Sequence, residues 1–306
     1  MDNLVFIPMG TGSAFSAHRL NSALLVCRVE SGRTTDAFLI DVGETASMSF
    51  KLLRLARESG KRFCLRTSAL LPFDPSSIPP GTPTELYKVD TIALTHTHGD
   101  HVGGLGNYLL NRRYMHGPAP RSPVLITGKA LEPILWPHVI KGIVGTWDTH
   151  PAPSLEVLCS PRWLASSQTF PWHEYEIGVT PTDHVVVPGC PDAFPSYAIT
   201  LAHPETGRRM VWSGDSQFRT AQIQGTFQPF DVIFHDCQFG VDPIHASGTE
   251  LEELPAEVRS RMYLYHLPDD SDAHEERANR YFRGFLKEFH GYRWPELTGQ
   301  RSVETP

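Results

Sequence analysis

Residues 95–101 read Thr95-His96-Thr97-His98-Gly99-Asp100-His101, placing three histidines and one aspartate within six positions. The segment follows the β-branched apolar run Thr91–Thr95 and precedes Val102-Gly103-Gly104, which opens a helix at Leu105. Side chains two apart on an extended backbone point the same way, so His96 and His98 can grip one ion. A turn through Gly99 aims Asp100 and His101 at a second. Imidazole and carboxylate donors suit zinc, or manganese where oxygen ligands dominate.

Two ions need further donors, and strand ends are where they are expected. His184, in Thr182-Asp183-His184-Val185-Val186-Val187, heads a β-branched run and can complete the first ion's shell. Asp215 follows Val211-Trp212-Ser213-Gly214 at a strand end, where a carboxylate can bridge both ions. His266 closes the apolar strand Met262–Tyr265 and can complete the second shell. Agreement among these positions carries the metal reading.

The chain has 306 residues, with 34 acidic and 27 basic side chains for a net charge of −7. Its pI near 6.1 argues against a protein that lives on a nucleic-acid backbone, which needs a basic face. No apolar run of about 18 residues occurs, so no membrane span is expected. The start, Met1-Asp2-Asn3-Leu4, lacks the pattern of a secretory signal. Five cysteines without a C-x-x-C pair fit reduced thiols in the cytoplasm.

Strand-like runs recur at Leu4–Ile7, Ala23–Val29, Ala37–Ile40, Thr91–Thr95 and Val124–Thr127. They continue at Tyr197–Leu201, Arg209–Trp212, Asp231–Phe234 and Met262–Tyr265. Helical spacing appears at Met48, Leu52 and Leu55, and at Leu105, Tyr108 and Leu109. It returns at Leu251, Leu254 and Val258, and at Phe282, Phe285, Leu286 and Phe289, the last an amphipathic stripe. The proline-rich segments Leu70–Thr84 and Pro151–Trp172 read as loops. No linker divides two compositions. One domain over 1–306 is expected, with insertions near 60–88 and 115–180.

Competing motifs fail. Gly10-x-Gly12 lacks a third glycine at Phe15, and neither Ser13 nor Ser216 has the G-x-S-x-G setting of a serine nucleophile. His203 reads as hairpin-turn chemistry. His18, His116, His138, His150, His173, His274 and His290 have no ligand spacing, and Cys237 reads as a small core residue.

These residues together resemble the metallo-β-lactamase fold, in the branch that contains ribonuclease Z and related phosphodiesterases. Phe6–Ala14, with Arg19 and Ser22, is similar to that branch's opening strand and glycine turn. Asp41-Val42-Gly43-Glu44 is similar to its Asp-Gly-Glu turn, whose aspartate orients metal histidines. Residues 96–101 match H-x-H-x-D-H without departure. The resemblance implies a four-layer αβ/βα sandwich with a dinuclear site on one edge. His96, His98 and His184 would hold one ion and Asp100, His101 and His266 the other, bridged by Asp215.

Two adjacent cations acidify a bridging water and neutralise substrate oxygens, so attack of the bridging hydroxide on phosphorus is the expected chemistry. That chemistry serves phosphodiesters, lactams, lactones and thioesters alike. Asp100 and His245 are the candidate catalytic residues. His245 stands 21 residues before His266, where the resembling branch keeps a histidine facing the scissile phosphate. It could donate a proton to the departing ribose oxygen; alternatively it borders the helix near Gly248. His235 and Asp236 orient His245 or the metal shell, or else are structural.

Ribonuclease Z grips tRNA with a basic, glycine-rich arm, and Leu105–Asp183 contains no such run, so a nucleic-acid substrate is disfavoured. The chain is closest in character to the anti-Pycsar cyclic nucleotide phosphodiesterases. Its ligand order, Pro195-Ser196-Tyr197 and the Leu-Tyr-His ending at His266 are similar to theirs. The insertion at 70–84 and the loop Pro188–Phe194 depart from a minimal member. Opening of a 3′,5′-cyclic nucleotide is the favoured activity, with RNA processing, ester or lactone hydrolysis, and a non-enzymatic scaffold kept as alternatives. A homodimer is expected through the Trp136–Trp172 region and the Phe282–Phe289 stripe.

Overall fold

A computed structural model describes residues 1, 3–115, 122–144, 154–185, 194–219, 223–240, 244–299 and 303–304. Strands β1 (Leu4–Gly10), β2 (Ala23–Glu30) and β3 (Arg33–Ile40) form an antiparallel meander, followed by helix α1 (Ala46–Ser59). A hairpin of β4 (Lys61–Cys64) and β5 (Ala69–Pro72) comes next. Then β6 (Thr91–Ala93), β7 (Val124–Gly128) and β8 (Ser160–Leu164) add to β3 in parallel. Between β6 and β7 lie a short turn of helix, α2 (Gly99–Val102), and α3 (Leu105–Met115).

The second sheet begins with antiparallel β9 (Thr169–Trp172), β10 (Tyr175–Thr182), β11 (Ser196–Ala202) and β12 (Arg209–Trp212). Parallel β13 (Val232–Asp236) and β14 (Met262–Tyr265) complete it. The short strand β15 (Tyr292–Arg293) returns to β1, giving a first sheet ordered β15-β1-β2-β3-β6-β7-β8 against a second ordered β14-β13-β12-β11-β10-β9.

Alternation along each strand splits its apolar residues between two cores. Phe6, Val26, Phe38 and Ile40 face Ile199, Trp212, Phe234 and Tyr265 between the sheets. Val5, Ile7, Leu25 and Leu39 face the other way and pack on Phe50, Leu53 and Leu105 of α1 and α3. Val211, Ile233 and Leu264 on the outside of the second sheet pack on Leu251, Val258 and Ala278. The order is therefore helices, sheet, sheet, helices, the expected four-layer αβ/βα sandwich. All nine expected strand runs are strands.

Several expectations need correction. Phe282–Phe289 is not a helix: the helix Glu275–Tyr281 ends before it. Gly284, at φ 103°, breaks the turn, and its carbonyl accepts from Leu264 N while Leu286 N donates to Leu264 O. The stripe's apolar residues pair onto β14's edge instead of lining a helix face. Leu251, Leu254 and Val258 span two short helices, Gly248–Leu251 and Ala256–Arg259, interrupted at Pro255. In α1 the buried face is Ala46, Ser49, Phe50, Leu53 and Ala56, leaving Met48 and Leu55 exposed.

Leu70–Thr84 begins as strand β5 rather than loop. The described part of Pro151–Trp172 holds a helical turn, Leu155–Leu158, and strands β8 and β9. Both strands lie at sheet edges, where Pro161 and Pro171 cost no ladder bond. In the regions expected to join two subunits, Ile143 and Val157 are exposed while several of the aromatic side chains are interior. Trp172, Phe282, Leu286 and Phe289 are buried, and Trp136 and Trp163 pack partly buried against the cores. Trp147, His116, His150, Cys190 and residues 188–193 lie outside the described residues.

Candidate metal centre

Strand ends converge on one edge of the sandwich. Asp41 follows β3, His96 follows β6, Asp215 follows β12, Asp236 ends β13 and His266 follows β14. His184 follows β10, so it ends a strand instead of heading one; residues 186–187 of its run are outside the described residues. His98 sits extended before α2, and its carbonyl accepts from His101 N at 3.0 Å and Val102 N at 2.9 Å. That turn reverses the chain, sending Asp100 and His101 to the far side of the cluster. Gly43 permits the closeness: a Cβ there would lie 1.9 Å from the Asp100 carbonyl oxygen.

Among the described residues three donor groups result, His96, His98, His184 and Asp215, then Asp100, His101, Asp215 and His266, and a smaller one of Asp215, Asp236 and His245, each with its atoms within 4.8 Å of one another. His98 Nδ1 lies 3.2 Å from His96 Nε2 and 3.0 Å from His184 Nε2. Asp215 Oδ2 stands 3.7 Å from both His96 Nε2 and His184 Nε2, and 3.3 Å from His266 Nε2. His101 Nε2 is 3.2 Å from both Asp100 Oδ2 and Asp215 Oδ1. Asp215 thus belongs to both of the larger groups. All seven side chains named from sequence meet here.

Partners behind the imidazoles set which nitrogen faces inward. His101 Nδ1 lies 2.8 Å from Asp41 Oδ2, His96 Nδ1 2.9 Å from Thr95 Oγ1, and His184 Nδ1 3.0 Å from the Ile244 carbonyl. Each can donate outward and leave a lone pair on Nε2 for a cation. Thr95 bonds Asp41 through both its N–H (2.9 Å) and its hydroxyl, tying β3 to the histidine segment. Asp41 and His266 hold φ of 64° and 62°, a strained region for side-chain-bearing residues, as functional sites often do.

The donor set fits a divalent ion on its own terms. Asp100 Oδ2, Asp215 Oδ1 and His101 Nε2 are buried without hydrogen-bond partners, although acceptors of this kind are costly to bury unmatched. Burial pushes His98 and His266 down to about 4 and His96 further down, favouring the neutral, ligating form. Burial raises Asp215, but His101 and His266 override it and hold the carboxylate well below its usual range. Burial likewise lowers His101, and the Asp215, Asp100 and Asp41 carboxylates override that. A concentration of negative charge at His101 is what a cation would neutralise.

Beside this cluster, His245 Nδ1 lies 3.0 Å from Asp236 Oδ2. The carboxylate also accepts from Ser216 N at 3.0 Å and the Ser213 hydroxyl at 3.1 Å. Burial opposes its ionisation, yet bonds from His235 and His245 hold it below the ordinary range. The His245 ring is 5.0 Å from that of His184 and 4.8 Å from that of His266. It does not cap the following helix: Ser247 does, in a capping box with Glu250. His235 is fully buried behind Asp236.

His98, Asp100, His184, Asp215, His245 and His266 line one cavity of about 730 Å³. Phe194 stacks on His98 at 4.2 Å between ring centroids. Thr95 and Phe194 were not assigned from sequence, whereas the Asp236–His245 bond realises one of the roles left open for Asp236. Thr95 adjoins the histidine motif, but nothing in its spacing reveals the bond to Asp41. His203 lies in the β11–β12 hairpin, as expected. His173 and His290 pair with Asp36 and Glu296 on the surface, and His274 stacks on Phe239.

Among the described residues no helix is long and apolar enough to cross a membrane. Residues 80–292 match the family described as Anti-Pycsar protein Apyc1. The Anti-Pycsar protein Apyc1 of Paenibacillus harenae is 30% identical over 196 residues, covering 62% of this chain and 73% of the relative. That of Bacillus phage 010DV004 is 28% identical over 272 residues, covering 86% and 89%. The metallo-β-lactamase fold protein YhfI from Bacillus subtilis superposes with a TM-score of 0.61 at 17% identity, covering 94% of this chain and 98% of that one. With the sandwich, the strand-end donors and this match agreeing, the chain belongs to the anti-Pycsar protein Apyc1 family and is a metal-dependent hydrolase of the metallo-β-lactamase fold.

Proposed function

We propose that this protein opens 3′,5′-cyclic mononucleotides, cleaving a phosphodiester bond by hydrolysis. The observation that carries this is the buried His245–Asp236 pair, whose histidine lines the same cavity as five of the seven metal-type donors, His98, Asp100, His184, Asp215 and His266. An ionised Asp236 can only accept, so His245 Nδ1 carries the proton it shares, leaving Nε2 to exchange one with substrate. His245 then hands a proton to the departing ribose oxygen as the bond to phosphorus breaks. Ser213 and Ser216 keep Asp236 in place and thereby fix the imidazole's orientation.

His96, His98 and His184 would hold one ion and Asp100, His101 and His266 the other, with Asp215 shared. When bound, such a pair supplies Lewis acidity toward the phosphoryl oxygens and lowers the pKa of a water. Asp100 would act in the chemistry by helping to hold one of these ions. The histidine-rich set favours zinc, with manganese the alternative. An acidic chain without a basic arm suits a substrate with one negative charge better than tRNA. Membership of the anti-Pycsar protein family supports the same substrate class. We also take the protein as a cytoplasmic homodimer with one domain over 1–306; light scattering and metal analysis test the assembly and the ion count.

The deciding experiment offers metal-loaded protein cyclic AMP, GMP, CMP and UMP beside a tRNA precursor and a lactone, with Asp215→Ala as control. Opening of cyclic nucleotides by the parent but not the variant is expected. Silence on every phosphate substrate with metal bound rejects the proposal in favour of ester or lactone hydrolysis.

A further inference from the structure

Phe15 is 98% exposed, far more than any other large apolar side chain described. It stands at the rim of the cavity that holds His98, Asp100, Asp215 and His245. Leaving a phenyl ring in water forgoes the whole gain from burying it, so an aromatic that is covered by none of the described residues beside a polar cavity needs a reason.

The loop that presents it is tightly held. Asp269 accepts from the Ser16 hydroxyl at 2.6 Å, Ala17 N at 3.1 Å and His18 N at 3.0 Å. Ser13 N donates to Leu267 O at 3.1 Å and Arg19 to Pro268 O at 3.1 Å. All these partners lie within three residues of His266. The loop is therefore registered to the segment that carries the last metal-type donor, and Phe15 is held at a set place relative to the reacting floor. Ile244 and Pro268 give the same cavity further apolar lining. The buried His184, Asp100, Asp215, His245 and His266 thus share one cavity with the more exposed Phe15, Ile244 and Pro268, and with the polar Ser16, Glu44 and Asp269. A cyclic nucleotide has the matching division, a charged cyclic phosphate at one end and a flat π-surface at the other.

We propose that Phe15 is the stacking platform for the substrate's nucleobase. The proposal rests on the cyclic-nucleotide reading for the identity of the stacked ring. Stacking uses the face every base possesses, so it binds without choosing among bases. Phe15 contributes to substrate affinity and is remote from the bond being broken. Its loss acts on KM and leaves kcat in place.

The test compares Phe15→Ala and Phe15→Trp with the parent on cyclic AMP, GMP, CMP and UMP and on methyl riboside 3′,5′-cyclic phosphate, which has no base. Phe15→Ala is expected to raise KM about 5- to 100-fold for all four nucleotides with kcat within about twofold. The base-free substrate is unaffected, and Phe15→Trp restores affinity. Nucleoside monophosphates should quench the added tryptophan emission of Phe15→Trp, a readout that needs no turnover. Unchanged KM without quenching overturns the stacking role, as does equal loss on the base-free substrate or a change in oligomeric mass. Quenching by nucleotides in a protein whose parent opens no cyclic nucleotide keeps the platform and rejects the catalytic reading instead.

Discussion

His245 Nδ1 and Asp236 Oδ2 lie 3.0 Å apart, both side chains buried, at the border between the donor cluster and the outer face of the second sheet. Asp236 closes β13, while His245 comes from the loop ahead of the Ser247-capped helix. Ala246 N donates to Ser216 O and Gln238 N to Ala246 O, so the backbone on both sides of that loop is pinned. The imidazole therefore meets the cavity in one orientation.

Asp236→Asn keeps the shape and removes the charge that selects the tautomer. Turnover of a cyclic nucleotide should fall by about 10²- to 10⁴-fold. A diester with a p-nitrophenolate leaving group, which departs without a proton, should lose much less. Equal losses on both substrates would remove His245 from the proton-transfer step.

Chelation should abolish turnover and lower the melting temperature. An ion bound only by the folded state adds about 2.7 kcal/mol per site at a hundredfold excess over its Kd. Elemental analysis is expected to give two ions per chain for the parent and fewer for His98→Ala, whose far-ultraviolet circular dichroism should match the parent's.

Acid should unfold the metal-free protein. Burial holds His98 and His266 at about 4 in the fold, against 6.5 ordinarily. Between those values the unfolded chain takes protons that the fold refuses, so stability falls as pH drops from about 6.5 to 4. His101, raised by its carboxylate neighbours, has the opposite sign: its contribution is complete below 6.5 and is lost as pH rises through its folded value. Urea midpoints of chelated protein should peak near pH 6.5 and fall on either side. A midpoint that keeps rising above pH 8 contradicts the charge arrangement described.

Gly43→Ala places a methyl carbon where the Asp100 carbonyl oxygen lies. The turn bearing Asp100 and His101 must then move. A displacement of about 1 Å near reacting groups costs on the order of 10²-fold in turnover, and metal content should fall with it. Wild-type activity in this variant would show that the turn can relax without disturbing the donors.

Phe234→Ala tests the inter-sheet core, since Phe234 is fully buried among Phe6, Trp212 and Tyr263. A loss of about 3–5 kcal/mol in unfolding free energy is expected from chemical denaturation. Well below the transition, metal stoichiometry should match the parent's, because the ring belongs to the inter-sheet core and supplies no donor atom.

Much of this protein is legible residue by residue. Thr95–His101 shows its chemistry because direction over a few residues depends only on local backbone geometry. Strands such as β1 and β13 read as unbroken apolar runs because both their faces are buried. Where apolar spacing was ambiguous, tertiary partners decided. Phe282–Phe289 has helical spacing, yet Gly284 and a free edge of β14 draw it into backbone pairing. Edge strands β8 and β9 were hidden because their prolines read as loop, and only a position at a sheet's margin makes those prolines harmless.

By itself the sequence determined the donor chemistry and the strand ends that carry it, which follow from residue type and short-range spacing, while the sandwich class came from the family that its motifs resemble. Tertiary structure alone decided that Asp41 meets Thr95 and His101, 54 and 60 positions away. It also settled which of the roles left open to Asp236 is realised, its bond to His245, and brought Phe15 to the same cavity as His266. Such contacts are set by how two twisted sheets pack and where their connecting loops land, and no local periodicity encodes that.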